Sequence, residues 1–469
     1  MRQCLTSDLG GYYTSQVQTG KDQFGVKGDF VTSPEISQIF GELIGLWIVA
    51  EWISQGKKSA GIYLMEVGPG RGTLMSDILR TIRNFPDLLK AVDAVYMVEA
   101  SQSLRNAQHK LLCGDNALTK TDIGYESMSQ QASELKIVWA EDIRFVPRSG
   151  AETPFIVAHE FFDALPIHIF QSVPPAPQSA EQTIQTPTGP IAAPRRLPQA
   201  AAQHQWRELV VAPKPPHRQK AGEPEFEMSV AKAATPHSMY LPETSTRYRA
   251  LKTTTDAIIE ISPESQAYVR EFAERLGGSN PEVPENADEK SPAKQVSVKT
   301  KTKPIEKENP SGAAIIIDYG KASTIPTNSL RGIRAHKIVS PFDAPGATDV
   351  SADVDFMALA ETAIEASPGV EVHGPVDQAR FLKAMGIEER ASQLVKRAVD
   401  KERGGSTGQA RSELTDLVKR IESGWKRLVD TSPQGMGRLY QVMAILPYST
   451  GSSEQKRRRP VGFGGDVRL

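Results

Sequence analysis

The amino-acid sequence predicts an α/β fold: a mostly parallel sheet with helices on both faces, plus an N-terminal helical segment and a mainly helical cap. Two observations predict it. Short apolar runs that close on acidic or polar residues alternate with stretches of helical period along much of the chain. One of these runs, Ile62 to Val67, leads straight into Gly68, Gly70 and Gly72, with an amphipathic stretch behind them. Strands alternating with helices imply parallel pairing and a sheet buried on both faces.

Taken in order, the first strong element begins at Ser33-Pro-Glu35, which reads as a helix start: N-cap, proline at the first helical position, acid in the first turn. Ile36, Ile39, Phe40, Leu43, Ile44, Trp47 and Ile48 then mark one buried face. Asp29, Thr32, Ser33 and Glu35 are candidates for substrate binding or for covering a site. Cap and turn chemistry is the competing account of them. The run from Ile62 is the first strand, and Thr73 is placed to cap a helix carrying Leu74, Ile78, Leu79 and Ile82. Glycines between them allow the backbone to approach a ligand, while the helix start offers unpaired N–H groups.

Further strands are expected at Ala94 to Glu99, Ile137 to Asp142, Pro154 to His159, Ala313 to Gly320 and Gln441 to Leu446. Ligands of such sheets lie at the carboxyl ends, where Gly68, Glu99, Asp142 and Glu160 would gather. A carboxylate at Glu99 can accept both hydroxyls of an adenosine ribose. Asp142 stands where an adenine amine is often read.

Composition narrows the class. The 469 residues suffice for two compact units, and a formal charge of -1 gives no electrostatic reason to expect nucleic acid or an anionic membrane as partner. Two cysteines, Cys4 and Cys113, argue against a disulfide framework and a cysteine-based zinc site. No apolar run approaches the ~20 residues of a membrane span, so a soluble protein is expected. Met1-Arg-Gln-Cys-Leu5 carries no signal-peptide or presequence pattern, which suits a cytosolic protein or a start upstream of this Met1.

The expected organisation is a segment 1–58 covering the cofactor site, a ligand-binding core 59–321, a mainly helical cap 322–437, a late core strand 438–448 and a polar basic tail 449–469. Residues 173–203 and 279–311 are rich in Pro with Ala and Gln, or with Lys and Glu, and are expected to be disordered insertions. The first would tip a hairpin between Ile167–Phe170 and Trp206–Val211. A helix is expected from Pro263 to Leu276. Lys456–Arg459 is read as a solvated end, with a nuclear signal as the alternative.

The glycine pattern helps to choose the ligand. A dinucleotide fingerprint is G-x-G-x-x-G, but Thr73 stands at its third glycine, and no Gly-Lys-Ser/Thr follows for a P-loop. A glycine-rich turn without a ligand is the bland alternative. Glu66-x-Gly68-x-Gly70-x-Gly72 resembles the first motif of S-adenosylmethionine (SAM) methyltransferases. Gly28-Asp-Phe-Val-Thr-Ser-Pro-Glu-Ile-Ser-Gln-Ile-Phe-Gly-Glu42, Ala158-His-Glu-Phe-Phe-Asp-Ala-Leu-Pro166, Ser351-Ala-Asp-Val-Asp-Phe356, Phe381-Leu-Lys-Ala-Met-Gly-Ile387 and Met436-Gly437 follow in order. Together these strings resemble the MidA-type SAM-dependent methyltransferases, in their branch of mitochondrial complex I assembly-factor arginine methyltransferases.

The resemblance implies a Rossmann-like SAM-binding sheet, with Glu66, Gly68, Gly70, Gly72, Glu99 and Asp142 as cofactor-binding residues. It also implies a type II activity, symmetric dimethylation of an arginine on a core subunit of complex I (NADH:ubiquinone oxidoreductase), in the mitochondrial matrix. Methyl transfer from a sulfonium needs no metal and little covalent assistance, so positioning supplies much of the rate. Guanidinium is protonated at working pH, and carboxylates can aim it and accept its proton. Glu160 and Asp163 are the catalytic candidates, with Phe161 and Phe162 as apolar walls. The rival account makes this string a corner with Asp163 as a cap, and His159 is read as structural. Two other classes are weighed: a dinucleotide oxidoreductase, disfavoured by Thr73, and a non-catalytic assembly scaffold retaining the fold.

Overall fold

Apolar runs without a polar face must be covered on both sides, and they form the centre of a nine-stranded sheet. The computed structural model describes residues 1–7, 9–14, 25, 28–175, 183–186, 189–192, 204–281, 303–402, 408–433, 435–448 and 459–464. Its first strands are β1 (Ile62–Val67), β2 (Val92–Val98), β3 (Thr119–Thr121), β4 (Gly124–Met128), β5 (Lys136–Ala140) and β6 (Thr153–His159). They are followed by β7 (His168–Val173), β8 (Thr183–Thr186), β9 (Gly189–Ala192), β10 (Gln205–Pro213), β11 (Phe226–Val230) and β12 (Ile258–Ile261). The last are β13 (Ala313–Tyr319), β14 (Arg331–Arg334), β15 (Lys337–Val339), β16 (Asp349–Ser351), β17 (Val370–Asp377) and β18 (Tyr440–Pro447).

The main sheet runs β17-β18-β13-β6-β1-β2-β5-β4-β3. Its central strands β13, β6, β1, β2 and β5 are parallel, and every residue of β1 and β6 is buried. β18 runs antiparallel to both neighbours. On one face lie the helices Gln38–Ser54 and Thr73–Ile82, on the other Pro263–Gly277 and Phe356–Ala366, each contributing to a separate buried cluster. Gly45 brings the first two helices close: a Cβ there would lie 2.9 Å from Cβ of Thr81. A four-stranded sheet, β11-β10-β7-β12, stands apart, and its β7–β10 pairing is the expected hairpin. Among the described residues no helix is long and apolar enough to cross a membrane.

Several local expectations change. The helix from Ser33 is two: Ser33–Ile36 and Gln38–Ser54, broken where extended Ser37 caps the second by accepting from Ile39 N (3.3 Å). The cap of helix Thr73–Ile82 is Gly72 in the left-handed region (φ 83), with Thr73 its first helical residue. Residues 322–437 are not only a helical cap. They add β17 to the main sheet, where an edge position tolerates Pro375, and form a small sheet β15-β14-β16.

The expected insertions are narrower than their composition suggests. Most of 173–203 and 279–311 lies outside the described residues, but β8 and β9 pair within the first. In the second, Ile305 is buried, Ser279 N donates to its carbonyl (2.8 Å), and Lys307 Nζ donates to the carbonyls of Glu152 and Arg275 (2.7 and 2.8 Å). One apolar anchor with paired backbone is enough to fix a polar strand. Likewise most of 449–469 is outside the described residues, Lys456 to Arg458 included. Phe463, however, is buried with its ring 5.6 Å from that of Phe381.

Candidate active site

A cleft with about 1110 Å³ of empty space opens at the carboxyl ends of β1, β2, β5 and β6. Glu66 closes its floor. Its Oε2 is buried without a hydrogen-bond partner among the described residues, and burial, helped by nearby Glu99, holds its pKa well above the carboxylate range. Gly68 (φ 64) and Gly70 (φ 52) line the cleft with backbone that only glycine adopts at little cost. A Cβ on Gly68 would come 2.5 Å from ring atom Cδ2 of Phe161. Gly72 does not line the cleft; it makes the turn into the helix.

At the end of β2, Glu99 lines the cleft, accepts Ser101 N through Oε1 (2.8 Å) and titrates at about 7, raised by burial. Gln108 fixes this floor: its Nε2 donates to the Gly70 carbonyl (2.7 Å) and lies 3.4 Å from Glu99 Oε2, while Oε1 accepts from Trp139 (2.9 Å). Asp142 lies outside the cleft, caps the short turn Ile143–Phe145 and grips Arg144 through both oxygens (2.8 Å each). The neighbouring Glu141 faces the cleft instead, so the side expected of Asp142 belongs to the residue before it.

The corner after β6 is strained and well held. Glu160 has φ 49, a conformation that costs a non-glycine residue roughly 1–3 kcal/mol. Its N–H donates to the Ile317 carbonyl (3.0 Å), and the next two, of Phe161 and Phe162, donate to Asp318 Oδ2 (3.1 and 2.8 Å). Strand β13 thus builds the turn that aims Glu160 into the cleft. Burial, with a contribution from Asp163, raises the Glu160 pKa to about 8. His159 Nε2 is 3.3 Å from Glu160 Oε1, but burial pushes the imidazole down to about 3. Both groups are therefore neutral at pH 7, and the contact is no ion pair. Tyr440 hydrogen-bonds to Glu160, with its hydroxyl 2.5 Å from that of Tyr319.

The remaining candidates divide. Thr32, Glu35 and Phe161 line the cleft. Ser33 sits behind, its N–H 3.4 Å from Glu160 Oε1 and its Oγ without a partner among the described residues. Phe162 is core, packed on Phe272. Asp29 is a clip away from the cleft, accepting from the Tyr12 hydroxyl and Ala335 N (2.8 Å each). Asp163 is also buried away from it, its pKa raised to about 6 by burial, with Arg331 pulling it down and Asp353 pushing it up.

Sequence reasoning missed Asp318, Gln108, Tyr13, Tyr440 and Arg71, which pairs with Glu35 (3.2 Å). Asp318 carried the same signal as Glu66, an acid at a strand end. The others carried none, because their roles arise from distant segments meeting.

The chain matches, over residues 43–376, a family model described as "Putative S-adenosyl-L-methionine-dependent methyltransferase". It is 31% identical, over 96% of its length and 80% of the relative's, to protein arginine methyltransferase NDUFAF7, mitochondrial, of Rattus norvegicus. The figures are 31%, 96% and 79% for the Homo sapiens protein of that name, and 32%, 95% and 82% for that of Danio rerio. Its fold is similar to that of a crystal structure from Burkholderia thailandensis bound to S-adenosyl-homocysteine. There the TM-score is 0.58 at 19% identity, with 95% of this chain and 86% of the other covered. The cofactor is S-adenosyl-L-methionine, and the cleft fits it: the unpartnered Glu66 oxygen and the Glu99 carboxyl are acceptors, and at Gly68 any side chain would run into Phe161 of the cleft wall. A parallel-centred sheet with a glycine cradle and strand-end carboxyls, matched over most of the chain, makes this a member of the S-adenosyl-L-methionine-dependent methyltransferase family to which the mitochondrial NDUFAF7 proteins belong.

Proposed function

We propose that this chain methylates an arginine side chain of a protein substrate, symmetrically on its two terminal nitrogens. The substrate is a core subunit of complex I (NADH:ubiquinone oxidoreductase), modified during assembly in the mitochondrial matrix. The names of its relatives support the arginine and a mitochondrial setting. The observation that carries the chemistry is Glu160, a strained, largely buried carboxyl aimed into the cofactor cleft that Glu35 and Glu66 also line.

S-adenosyl-L-methionine supplies a methyl group activated on a sulfonium. Glu66 and Glu99 accept hydrogen bonds from the cofactor, and the Gly68–Gly72 turn admits it. Glu160 does the work on the other side. An entering guanidinium places positive charge beside a carboxyl held near 8, favours its ionised form, and is aimed by it. That carboxylate keeps positive charge on the nitrogens that do not react and takes the proton that leaves. Phe161, edge-on to Tyr268 (4.8 Å), excludes water. Asp163 is a positioning residue, acting on Glu160 through its field.

Mass spectrometry of complex I subunits after incubation with the purified protein and labelled S-adenosyl-L-methionine tests this reading. Label in symmetric dimethylarginine of one core subunit is expected. Binding of cofactor without any transfer would leave an assembly scaffold in its place.

A further inference from the structure

Away from the cleft, His168, Glu208 and His237 bring one ligand atom each within 4.8 Å of one another. They come from three elements: β7, β10 and the short helix Pro236–Tyr240. None of them lines the cleft. His168 Nδ1 lies 2.7 Å from Glu208 Oε1, and His237 Nδ1 lies 3.8 Å from the same oxygen. The second distance is too long for a hydrogen bond, so one carboxylate oxygen faces two rings and satisfies one.

The surroundings orient this set without using its donor atoms. Thr235 Oγ1 donates to the other Glu208 oxygen, Oε2 (2.6 Å), which turns Oε1 toward the rings. Thr235 also caps the helix that carries His237, accepting from Ser238 N (3.1 Å). Fixing a ligating carboxylate by a hydrogen bond to its far oxygen is how protein metal sites hold their ligands in place.

We propose that His168, Glu208 and His237 form a binding site for a divalent transition-metal ion, zinc being the species whose geometry fits best. Zinc bonds of about 2.0–2.2 Å set tetrahedral donor atoms roughly 3.3 Å apart. The two spacings to Glu208 Oε1, 2.7 and 3.8 Å, bracket that value and need shifts of about half an ångström, and all three ligand atoms already lie within 4.8 Å of one another. Two imidazoles and one carboxylate select such metals over magnesium or calcium. The imidazoles are 29% and 34% exposed, which leaves the fourth position to water. The ion staples β7, β10 and the helix together. It lies apart from the methyl-transfer residues, so the proposal does not depend on the reading of the cleft.

The test uses the full chain stripped with a chelator, then equilibrated with zinc chloride and freed of weakly held ion by dialysis. Elemental analysis should find one zinc per chain, and cobalt in its place should give the visible absorption bands of a tetrahedral site. His237→Ala and Glu208→Gln should each abolish both signals, while His217→Ala should keep them. Retention of zinc by both cluster variants, or failure of the unaltered chain to hold zinc through dialysis, would overturn the site. Where a variant fails to fold, the cobalt spectrum of the unaltered chain decides: absence of tetrahedral bands counts against it.

Discussion

Glu160 shows how much of this molecule rests on single residues. Its folded pKa of about 8 lies above the ordinary 4.5, so the folded chain binds this proton more tightly than the unfolded one. Its contribution to stability is complete below pH ~4.5 and is lost as pH rises through 8. Glu160→Gln should flatten that limb of a melting-temperature series against pH. The same change should leave cofactor affinity intact in calorimetry and lower methyl transfer by ~10²-fold or more. Asp163 raises the Glu160 pKa by its charge, so Asp163→Asn should move the acid limb of kcat/KM to lower pH without moving cofactor affinity. A profile that stays in place would confine Asp163 to a structural role. At the floor, Glu99→Ala should weaken cofactor binding about ten- to a hundredfold, the worth of charge-assisted hydrogen bonds of roughly 1.5–3 kcal/mol, and Glu99→Gln less. That Glu66, Gly68, Glu99 and Glu160 would gather at one cleft was legible from the sequence, because strand ends and glycines mark the carboxyl edge of a parallel sheet. Asp142 lies outside that cleft while Glu141 lines it, since after a strand ends nothing in the sequence fixes which of two adjacent acids turns inward.

At the scale of elements, the long periodic ones were legible and the short ones were not. The helix Gln38–Ser54 and strands β1, β2 and β6 declare themselves by continuous apolar pattern. β17 hides because Gly374 and Pro375 interrupt it, although an edge strand tolerates both. The strand of chain around Ile305 hides because one isoleucine among charges has no period. That stretch gives a sharp contrast between neighbours in sequence. Replacing 282–302 by a Gly/Ser linker of matching span should leave the melting temperature nearly unchanged, since Ser279 and Ile305 already hold each other's backbone. Ile305→Ala, at a position 5% exposed, should cost about 2–5 kcal/mol in denaturant titration.

At the scale of the whole molecule, the cleft belongs to no single segment. Leu5, Tyr13 and Glu35 roof it, β1, β2 and β6 make its floor, and Tyr440 of β18 reaches Glu160 from behind. Ser101 Oγ donates to the Tyr13 carbonyl (2.5 Å), tying the roof to the floor near Glu99. Cofactor at a hundredfold excess over its dissociation constant should stabilise the chain by ~2.7 kcal/mol. Because roof and floor share the ligand, hydrogen exchange should slow together in residues 1–7, in 28–36 and in the glycine turn. Slowing confined to the turn would mean that the roof does not close on the cofactor.

The contact of Tyr440 with Glu160 bears on how the protein is made. Leu5, which lines the cleft, precedes Tyr440, which supports Glu160, by hundreds of peptide bonds in the order of synthesis. Strand β18 also inserts between β13 and β17, so a growing chain exposes two unpaired strand edges until its last part arrives. During that interval Glu160 lacks its Tyr440 partner, and the waiting edges are open to any extended peptide. A chain halted before β18 should therefore carry a Glu160 without its support and two strand edges free to pair with other chains.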